Sequence, residues 1–330
     1  MAPHAEILYT SAQREVDTLS KPTRPMKNQS VADIARVAIR EYFDKMNFVA
    51  PSYPRDVELE ERVYKAVKSW EGHELALRYV PTAIALTITA YAHIESTDLK
   101  VLLALFIVLA TTLDEPEILD ALPSHEFHAR FCTGAAQKDK NMLGELARII
   151  IEMYKHYPRY AAASITTATL QFVNVSMLEN AFQDVSLHPE ALAFVEYRRA
   201  RSSLGECYAH FVWDKSRFPD ANSYVQAIPD AITFIGALND ILSFYKEELA
   251  GEVGNYISDR ALVSGKPSLE TLREVIDEAV AARERIHDIL GEGDIRDTWD
   301  AFVTGAIAFH VIDPRYRLQE ILEDSCIGKH

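Results

Sequence analysis

The segment ALNDILSFYKEE, residues 237–248, is the most informative part of this 330-residue chain. Three polar residues, Asn239, Ser243 and Glu247, recur in it at every fourth position. At ~100° per residue they drift by only about 80° over two turns, so they share one stripe of a helix. Apolar Ile241 and Leu242 fill other faces. The segment is therefore predicted to be an α-helix that carries a row of oxygen donors.

Helical periodicity extends outward from this segment over almost the whole chain after residue 30. Ser30 is placed to cap a helix that starts at Val31. Prolines, glycines and polar stretches interrupt the pattern, and the longest break is a predicted loop at 250–267. Few stretches alternate as strands do, and neither a fixed-period repeat nor a glycine-rich linker occurs. We predict an all-α fold with one helical domain, 31–330, preceded by a polar arm, 1–30.

The most apolar run, VLLALFIVLA at 101–110, indicates how this bundle is built. It is about half the ~20 residues that a membrane-spanning helix needs, so a buried core helix is predicted. Segments 81–91 and 101–113 are apolar on more than one face. Such helices lie at the centre of a large bundle or line an apolar cavity, and the sequence leaves both alternatives open.

The charge and cysteine content exclude several classes of protein. The chain has 34 Lys+Arg against 49 Asp+Glu, a formal net charge of −15. This balance argues against a nucleic-acid partner or binding to an anionic membrane surface. The three cysteines, Cys132, Cys207 and Cys326, are far apart and form no CxxC pair. They favour a reducing compartment, and with no evident signal peptide the expected location is the cytoplasm.

The polar stripe is an all-oxygen ligand set, because it combines an amide, a hydroxyl and a carboxylate. Such a set suits a hard cation, magnesium above zinc or copper, although a solvated helix face would give the same pattern.

An acidic segment, TTLDEPEIL at 111–119, places Asp114 and Glu115 at the end of the most apolar helix and Glu117 just beyond. Carboxylates there are costly unless paired or metal-bound. The alternative is that Asp114 ends one helix and Pro116 begins the next.

Two basic segments complete the set of candidate site residues. YRRARSSLG, 197–205, has three arginines in four positions, and DPRYR, 313–317, lies near the C-terminus. Arginine guanidinium groups match the geometry of phosphate oxygens. Taken singly, each segment would be read as a solvated basic face that pairs with the abundant acids.

In this order and spacing the four segments resemble class I terpene cyclases, most closely the fungal trichodiene-synthase-like sesquiterpene cyclases, from about residue 114 to 322. The resemblance implies an α-helical bundle around an apolar active-site cavity. It implies magnesium as cofactor, with three ions when substrate is bound. The implied metal ligands are Asp114, Asn239, Ser243 and Glu247.

The same resemblance implies the residues that contact a diphosphate. Arg199 best fits the diphosphate-sensing arginine when Leu204-Gly205 sets the register, and Arg198 is the alternative. The other implied contacts are Lys246, Arg315 and Tyr316.

The acidic segment departs from the family pattern. Glu115 replaces the commoner second aspartate, and Ile118 stands where a last acid is expected, one position after Glu117. Whether Glu115 or Glu117 contacts metal stays open. The second aspartate motif of chain-elongating prenyltransferases is absent, which favours cyclisation over condensation with isopentenyl diphosphate.

The expected function is that of a fungal secondary-metabolism lyase, a sesquiterpene cyclase. It would ionise farnesyl diphosphate and cyclise the carbocation to a hydrocarbon or alcohol, releasing pyrophosphate. The alternatives are a cyclase for geranyl or geranylgeranyl diphosphate and a helical isoprenoid-binding protein that has lost catalysis. No membrane span is expected, and a homodimer is a candidate assembly.

Aromatic rings in a dry pocket would stabilise carbocations. The candidates are Tyr91, Phe106, Phe172, Phe211, Trp213 and Phe309. His310 lies in an apolar helix and is expected to be a hydrogen-bonded core histidine rather than a base.

Overall fold

The computed structural model describes residues 30–181, 186–252 and 254–322. These ranges are predominantly helical and contain no strand, so the all-α prediction is confirmed. The α-helices, in chain order, are α1 (Val31–Met46), α2 (Val57–Val67), α3 (His73–Ala76), α4 (Val80–Ala90), α5 (Thr97–Leu113), α6 (Pro116–Asp120), α7 (Ser124–Cys132), α8 (Met142–Glu152), α9 (Arg159–Ala181), α10 (Leu192–Ser202), α11 (Gly205–Phe211), α12 (Ile228–Ala250), α13 (Tyr256–Ser264), α14 (Ser268–Leu290) and α15 (Asp294–Ile312).

The first helix begins where its capping residue predicts. The Ser30 hydroxyl accepts a hydrogen bond from the Asp33 backbone N–H at 3.2 Å, which satisfies one of the free donors at the helix start. The predicted start at Val31 is confirmed. Residues 1–29 of the predicted arm lie outside the described residues, as does Cys326.

The prediction of a continuous loop at 250–267 is wrong, because α13 lies within it. The Asn255 side chain accepts a hydrogen bond from the Ser258 N–H at 2.9 Å and caps the start of this helix. Gly265 ends it in the left-handed region at φ 64°, which a glycine adopts without strain. The helix is only 9 residues long, and its capping signals are stronger than its apolar periodicity.

Every described helix except α10 contributes side chains to one hydrophobic core. At its centre α4 packs against α15 so closely that a Cβ atom added to Gly305 would lie 2.1 Å from the Thr89 carbonyl oxygen. The two alternatives for the apolar helices are both realised along α5. Leu103 and Leu109 are fully buried in the core, whereas Ile107 and Ala110 line a cavity.

Two stretches are long and apolar enough to cross a membrane by length and composition, Arg159–Ala181 and Val225–Ala250. Within the bundle, 50% and 67% of their apolar windows are buried. Core helices of a globular domain meet the same criteria, and both stretches contribute side chains to the shared core.

Candidate active site

A cavity of about 450 Å³ opens between α4, α5, α9, α10, α12 and α15. Each site residue predicted from the sequence lines it: Asp114, Arg199, Asn239, Ser243, Lys246, Glu247, Arg315 and Tyr316. They come from four separate elements of the fold, namely α5, α10, α12 and the turn after α15. The fold therefore brings together residues that lie up to two hundred positions apart in the sequence.

The polar stripe of α12 forms one wall of this cavity. Asn239, Ser243 and Glu247 all line it, as the helical spacing requires. The Lys246 Nζ donates to Glu247 Oε1 at 3.1 Å, so a lysine and a carboxylate are paired at the same end. Ser243 is buried, and its hydroxyl has no hydrogen-bond partner among the described residues. Of the three oxygen donors, Asn239 Oδ1 accepts from Arg199 Nη2 at 3.5 Å and Glu247 Oε1 accepts from Lys246, so only the Ser243 hydroxyl is without a partner among the described residues.

Asp114 lies at the C-terminal end of α5 and faces the cavity. Its side chain is exposed to solvent, although neighbouring protein atoms partly desolvate the carboxyl. This desolvation raises the pKa of the Asp114 carboxyl, and the positive charge of Arg315 partly opposes the shift. No ion pair within 4 Å joins this carboxylate to a described residue. An unpaired carboxylate in such surroundings is well placed to receive a cation.

The two acids after Asp114 do not line the cavity. Glu115 accepts a hydrogen bond from the Tyr79 hydroxyl and lies 3.9 Å from Arg78 Nη2, so it ties the end of α5 to the start of α4. Glu117 is exposed on α6. Ile118, which stands where an acid was expected, is buried in the core. Asp114 is thus the acid of this segment that reaches the cavity.

The two neighbouring arginines of α10 have different surroundings. Arg199 lines the cavity and pairs with Asp240, with Nη2 2.8 Å from Oδ1. Burial raises the pKa of the Asp240 carboxyl to about 7, although Arg199 opposes the shift. Arg198 does not line the cavity; it pairs with Asp259 of α13 and lies 3.5 Å from Glu179. Of the two arginines, Arg199 is thus the one that lines the cavity.

A short 3₁₀ turn, Pro314–Tyr316, carries the last two predicted residues. The Asp313 carboxylate accepts a hydrogen bond from the Arg315 backbone N–H at 2.9 Å and fixes the start of this turn. Tyr316 is buried against His310, with ring centroids 4.3 Å apart. The Arg315 side chain is exposed and forms no ion pair with any described residue, so its guanidinium is available to an anion.

Three of the aromatic candidates, Tyr91, Phe172 and Phe309, line the cavity. The assignment of the other three to the cavity wall is wrong. Phe106 packs edge-on against Phe211 at 5.1 Å, and Trp213 stacks on Tyr224 at 4.8 Å, all within the core. A core position and a wall position have the same helical period, so periodicity alone does not separate them.

Sequence reasoning missed two aromatic residues of the wall, Tyr208 and Phe302. Phe302 lies on α15, two turns before His310, and helical spacing from that residue could have found it. Its ring is 5.4 Å from that of Tyr91, whose hydroxyl donates to the Tyr208 carbonyl at 3.1 Å. Tyr91 therefore contacts both residues, through its ring to Phe302 and through its hydroxyl to the Tyr208 backbone.

His310 is buried, as expected, but it also lines the cavity. Its Nδ1 lies 2.7 Å from the Ala306 carbonyl oxygen, and its Nε2 lies 3.5 Å from the Asn239 amide nitrogen. Burial lowers the pKa of His310 to about 4, so the imidazole is neutral at physiological pH.

Comparison with known proteins agrees with this geometry. The family model described as trichodiene synthase (TRI5) matches residues 74–327, which include every candidate site residue. The chain belongs to the trichodiene synthase family. Among its relatives, Monoterpene synthase 25 of Postia placenta is 42% identical, covering 98% of this chain and 97% of the relative. Terpene synthase 29 of the same fungus is 44% identical, covering 96% and 94%.

Solved structures place this trichodiene synthase family member in the terpene synthase fold. Linalool/Nerolidol synthase from Streptomyces clavuligerus aligns with a TM-score of 0.56, covering 79% of this chain and 97% of that one, at 15% identity. The same enzyme in complex with 2-fluorogeranyl diphosphate aligns with a TM-score of 0.54, covering 82% and 96% at 16% identity. The predictions of the family, the all-α fold and a terpene synthase are confirmed.

Proposed function

We propose that this terpene synthase ionises a prenyl diphosphate at the polar end of its cavity and cyclises the prenyl chain against the apolar end. The observation that carries the proposal is the division of this one cavity. Carboxylate, amide, hydroxyl and cationic groups meet at one end, and aliphatic and aromatic side chains line the rest. A prenyl diphosphate has the same division between an anionic head and a hydrocarbon tail.

We propose Mg²⁺ as the cofactor, held by Asp114, Asn239, Ser243 and Glu247. The described residues contain no group of three or more His, Cys, Asp or Glu side chains that could hold a metal alone. The donors present fit magnesium nonetheless, because Mg²⁺ is usually bound by one or two carboxylates together with water and substrate phosphates. When bound, the metal would act as a Lewis acid on the leaving diphosphate, with three ions as the proposed number.

Four side chains are proposed to bind the diphosphate directly. Arg199, Lys246 and Arg315 supply charge-assisted N–H donors, and the Tyr316 hydroxyl supplies a further donor. These donors stabilise the negative charge that grows on the diphosphate as its C–O bond breaks. Donors fixed in a cavity with little water are worth far more than the same groups in solution, because they need no reorganisation during the reaction.

The apolar end is proposed to fold the prenyl chain and to exclude water from the carbocation. Phe172 and Tyr91 offer aromatic rings there, and the electron-rich face of a ring attracts a cation. Phe309 lies nearer the polar end, with its ring 5.5 Å from that of Tyr316. Quenching of the cation by water would release an acyclic alcohol, so a dry wall favours ring closure.

Farnesyl diphosphate is the proposed substrate, in keeping with the family. Geranyl diphosphate is the second candidate, because the relative named Monoterpene synthase 25 is 42% identical over nearly the whole chain. The test supplies purified protein and magnesium with farnesyl, geranyl or geranylgeranyl diphosphate, and follows pyrophosphate release and volatile products by gas chromatography. Consumption of none of the three would overturn the proposed function and favour an isoprenoid-binding protein.

Three further proposals concern the whole chain. We propose one helical domain over 31–330, because every described helix except α10 contributes to one core. A cytoplasmic location is proposed from the cysteine content. Dimerisation is proposed as well, and light scattering after size-exclusion chromatography tests it.

A further inference from the structure

Arg199 is held to α12 along one edge of its guanidinium. Its Nε donates to Asp240 Oδ2 at 3.0 Å, and its Nη2 lies 2.8 Å from Asp240 Oδ1. The same Nη2 also donates to the Gly236 carbonyl oxygen at 2.9 Å. The hydrogen bond from Nε, the close ion pair at Nη2 and the bond to the Gly236 carbonyl together fix the plane of the guanidinium as well as its position.

These contacts leave the Nη1 amine of the guanidinium without a partner in the described part of the chain. The Nη1 amine forms no hydrogen bond with any described residue, although Arg199 lines the cavity. Asp240 itself is buried, with 9% of its side chain exposed, and it does not line the cavity. A diphosphate in the cavity would therefore meet Arg199 and not Asp240.

The position of Asp240 links two parts of the site. It directly follows Asn239, the first residue of the polar stripe. The turn of α12 that presents the Asn239 amide to the cavity therefore also binds Arg199. Asp240 thereby helps to hold the arginine of α10 beside the first proposed metal ligand of α12, whose Oδ1 accepts from Arg199 Nη2 at 3.5 Å.

We propose that Asp240 is a positioning residue, which orients Arg199 for the diphosphate before substrate arrives. The inference rests on the proposed function, since it assumes that an anion binds in the cavity. Free arginine side chains have many rotamers, and an arginine that is already oriented loses less conformational entropy when it binds.

The competing explanation is that the pair only joins α10 to α12. A neighbouring pair offers a control of similar burial, because Arg198 and Asp259 join α10 to α13 through Nη2 and Oδ2, with 19% and 9% of their side chains exposed. Removing either carboxylate leaves a poorly hydrated arginine without its anion and should destabilise the fold similarly. Only the pair at Asp240 includes a cavity-lining residue.

The experiment is a double-mutant cycle of Asp240→Asn and Arg199→Gln, with Asp259→Asn as the control. Each protein is measured by kcat/KM with the prenyl diphosphate it consumes, by calorimetric binding of inorganic pyrophosphate in magnesium, and by urea unfolding. We expect Asp240→Asn to lower kcat/KM and pyrophosphate affinity about 10- to 100-fold, the usual cost of losing an outer partner of a functional group. In the Arg199→Gln background the same change should add less than twofold, because the residue it positions is gone.

Asp259→Asn should leave pyrophosphate affinity within about twofold of the unmodified protein while lowering its stability. Full additivity of Asp240→Asn and Arg199→Gln, or an equal loss of affinity in Asp259→Asn, would overturn the positioning role. If Asp240→Asn does not fold, Asp240→Glu replaces it, since it keeps the charge but moves the carboxylate by one methylene. Unchanged pyrophosphate affinity in that variant would also overturn the role. If the unmodified protein consumes no prenyl diphosphate, the proposed function fails, while the pyrophosphate cycle still decides the role of Asp240.

Discussion

Arg198 and Arg199 are adjacent on α10 but pair with carboxylates of different helices. Arg198 pairs with Asp259 of α13, and Arg199 pairs with Asp240 of α12. Successive helical residues point about 100° apart, so one helix turn can present one arginine to the cavity and the other to a neighbouring helix. This divergence separates a candidate for substrate binding from a structural ion pair.

The two arginines should differ when each is replaced by lysine. Arg199→Lys should lower kcat/KM about 100-fold, because lysine lacks the planar fork and one oriented donor is worth this much in a preorganised site. Arg198→Lys should change kcat/KM by less than threefold, as its side chain does not line the cavity. Steady-state kinetics of the two variants decides the assignment, and equal losses would refute it.

Asn239→Ala should remove most turnover and leave the fold intact. The amide supplies one of the few proposed metal oxygens on α12, so kcat/KM should fall by at least about 100-fold and the magnesium concentration for half-maximal rate should rise. Asn180→Ala is the control, since Asn180 bonds Asp120 Oδ1 at 3.0 Å and lies away from the cavity. Normal magnesium dependence in the Asn239 variant would contradict the metal assignment.

Phe302 should limit the length of prenyl chain that the cavity accepts. Phe302→Leu removes part of the aromatic wall, so the ratio of kcat/KM for geranylgeranyl over farnesyl diphosphate should rise about tenfold, in the range that pocket size supplies. Phe106→Leu is the control, because Phe106 is a core residue that does not line the cavity. Competition assays with both substrates give the ratio; a rise in the control as large as that in Phe302→Leu would show that the effect comes from general loosening.

Gly305→Ala should destabilise the fold by about 1–3 kcal/mol, the usual cost of overpacking. The new Cβ would lie 2.1 Å from the Thr89 carbonyl oxygen, and neither helix backbone can move without disturbing the core. Gly236→Ala is the matched helical control, since the nearest atom to its Cβ would be Arg199 Nε at 3.8 Å. Urea unfolding should show Gly236→Ala to be neutral or slightly stabilising, because alanine favours a helix more than glycine does. Equal destabilisation by both would argue against the close approach of α4 and α15.

His210 should make the protein less stable in mild acid. It is fully buried, its ring nitrogens have no hydrogen-bond partner, and burial lowers its pKa to about 4 from 6.5. Below pH 6.5 the unfolded chain binds a proton that the folded chain does not, so stability falls as pH drops from 6.5 towards 4.

A His210→Phe variant isolates this contribution from that of other groups. Between pH 7.5 and 5 the unmodified protein should lose about 2 kcal/mol more unfolding free energy than the variant. Asp240 acts in the opposite sense over this range, because its raised pKa makes the folded state take up a proton first. Since Asp240 is present in both proteins, its effect cancels in the difference. Parallel pH profiles would show that His210 is protonated in the folded state.

Local patterns predicted the elements of the site, and tertiary contacts decided which residues reach it. The spacing of Asn239, Ser243 and Glu247 was sufficient to place them on one stripe of α12. The role of Glu115 was not readable, because its partner Tyr79 is 36 residues away. Phe106 was assigned to the cavity wrongly, since it lies on an apolar helix whose period does not tell core from cavity.

Helices α5 and α15 each contribute residues to both the polar and the apolar end of the cavity. On α5 the wall residue Ile107 lies seven positions before Asp114, and on α15 Phe302 lies eight positions before His310, which places the two ends about 10–12 Å apart at 1.5 Å per residue. Substitutions in the helical turns that carry Ile107 and Phe302 can therefore change the shape of the cavity without changing the groups proposed for ionisation. With this arrangement, homologous enzymes can evolve new product skeletons through a few substitutions in the cavity wall, while the residues proposed for diphosphate ionisation stay the same.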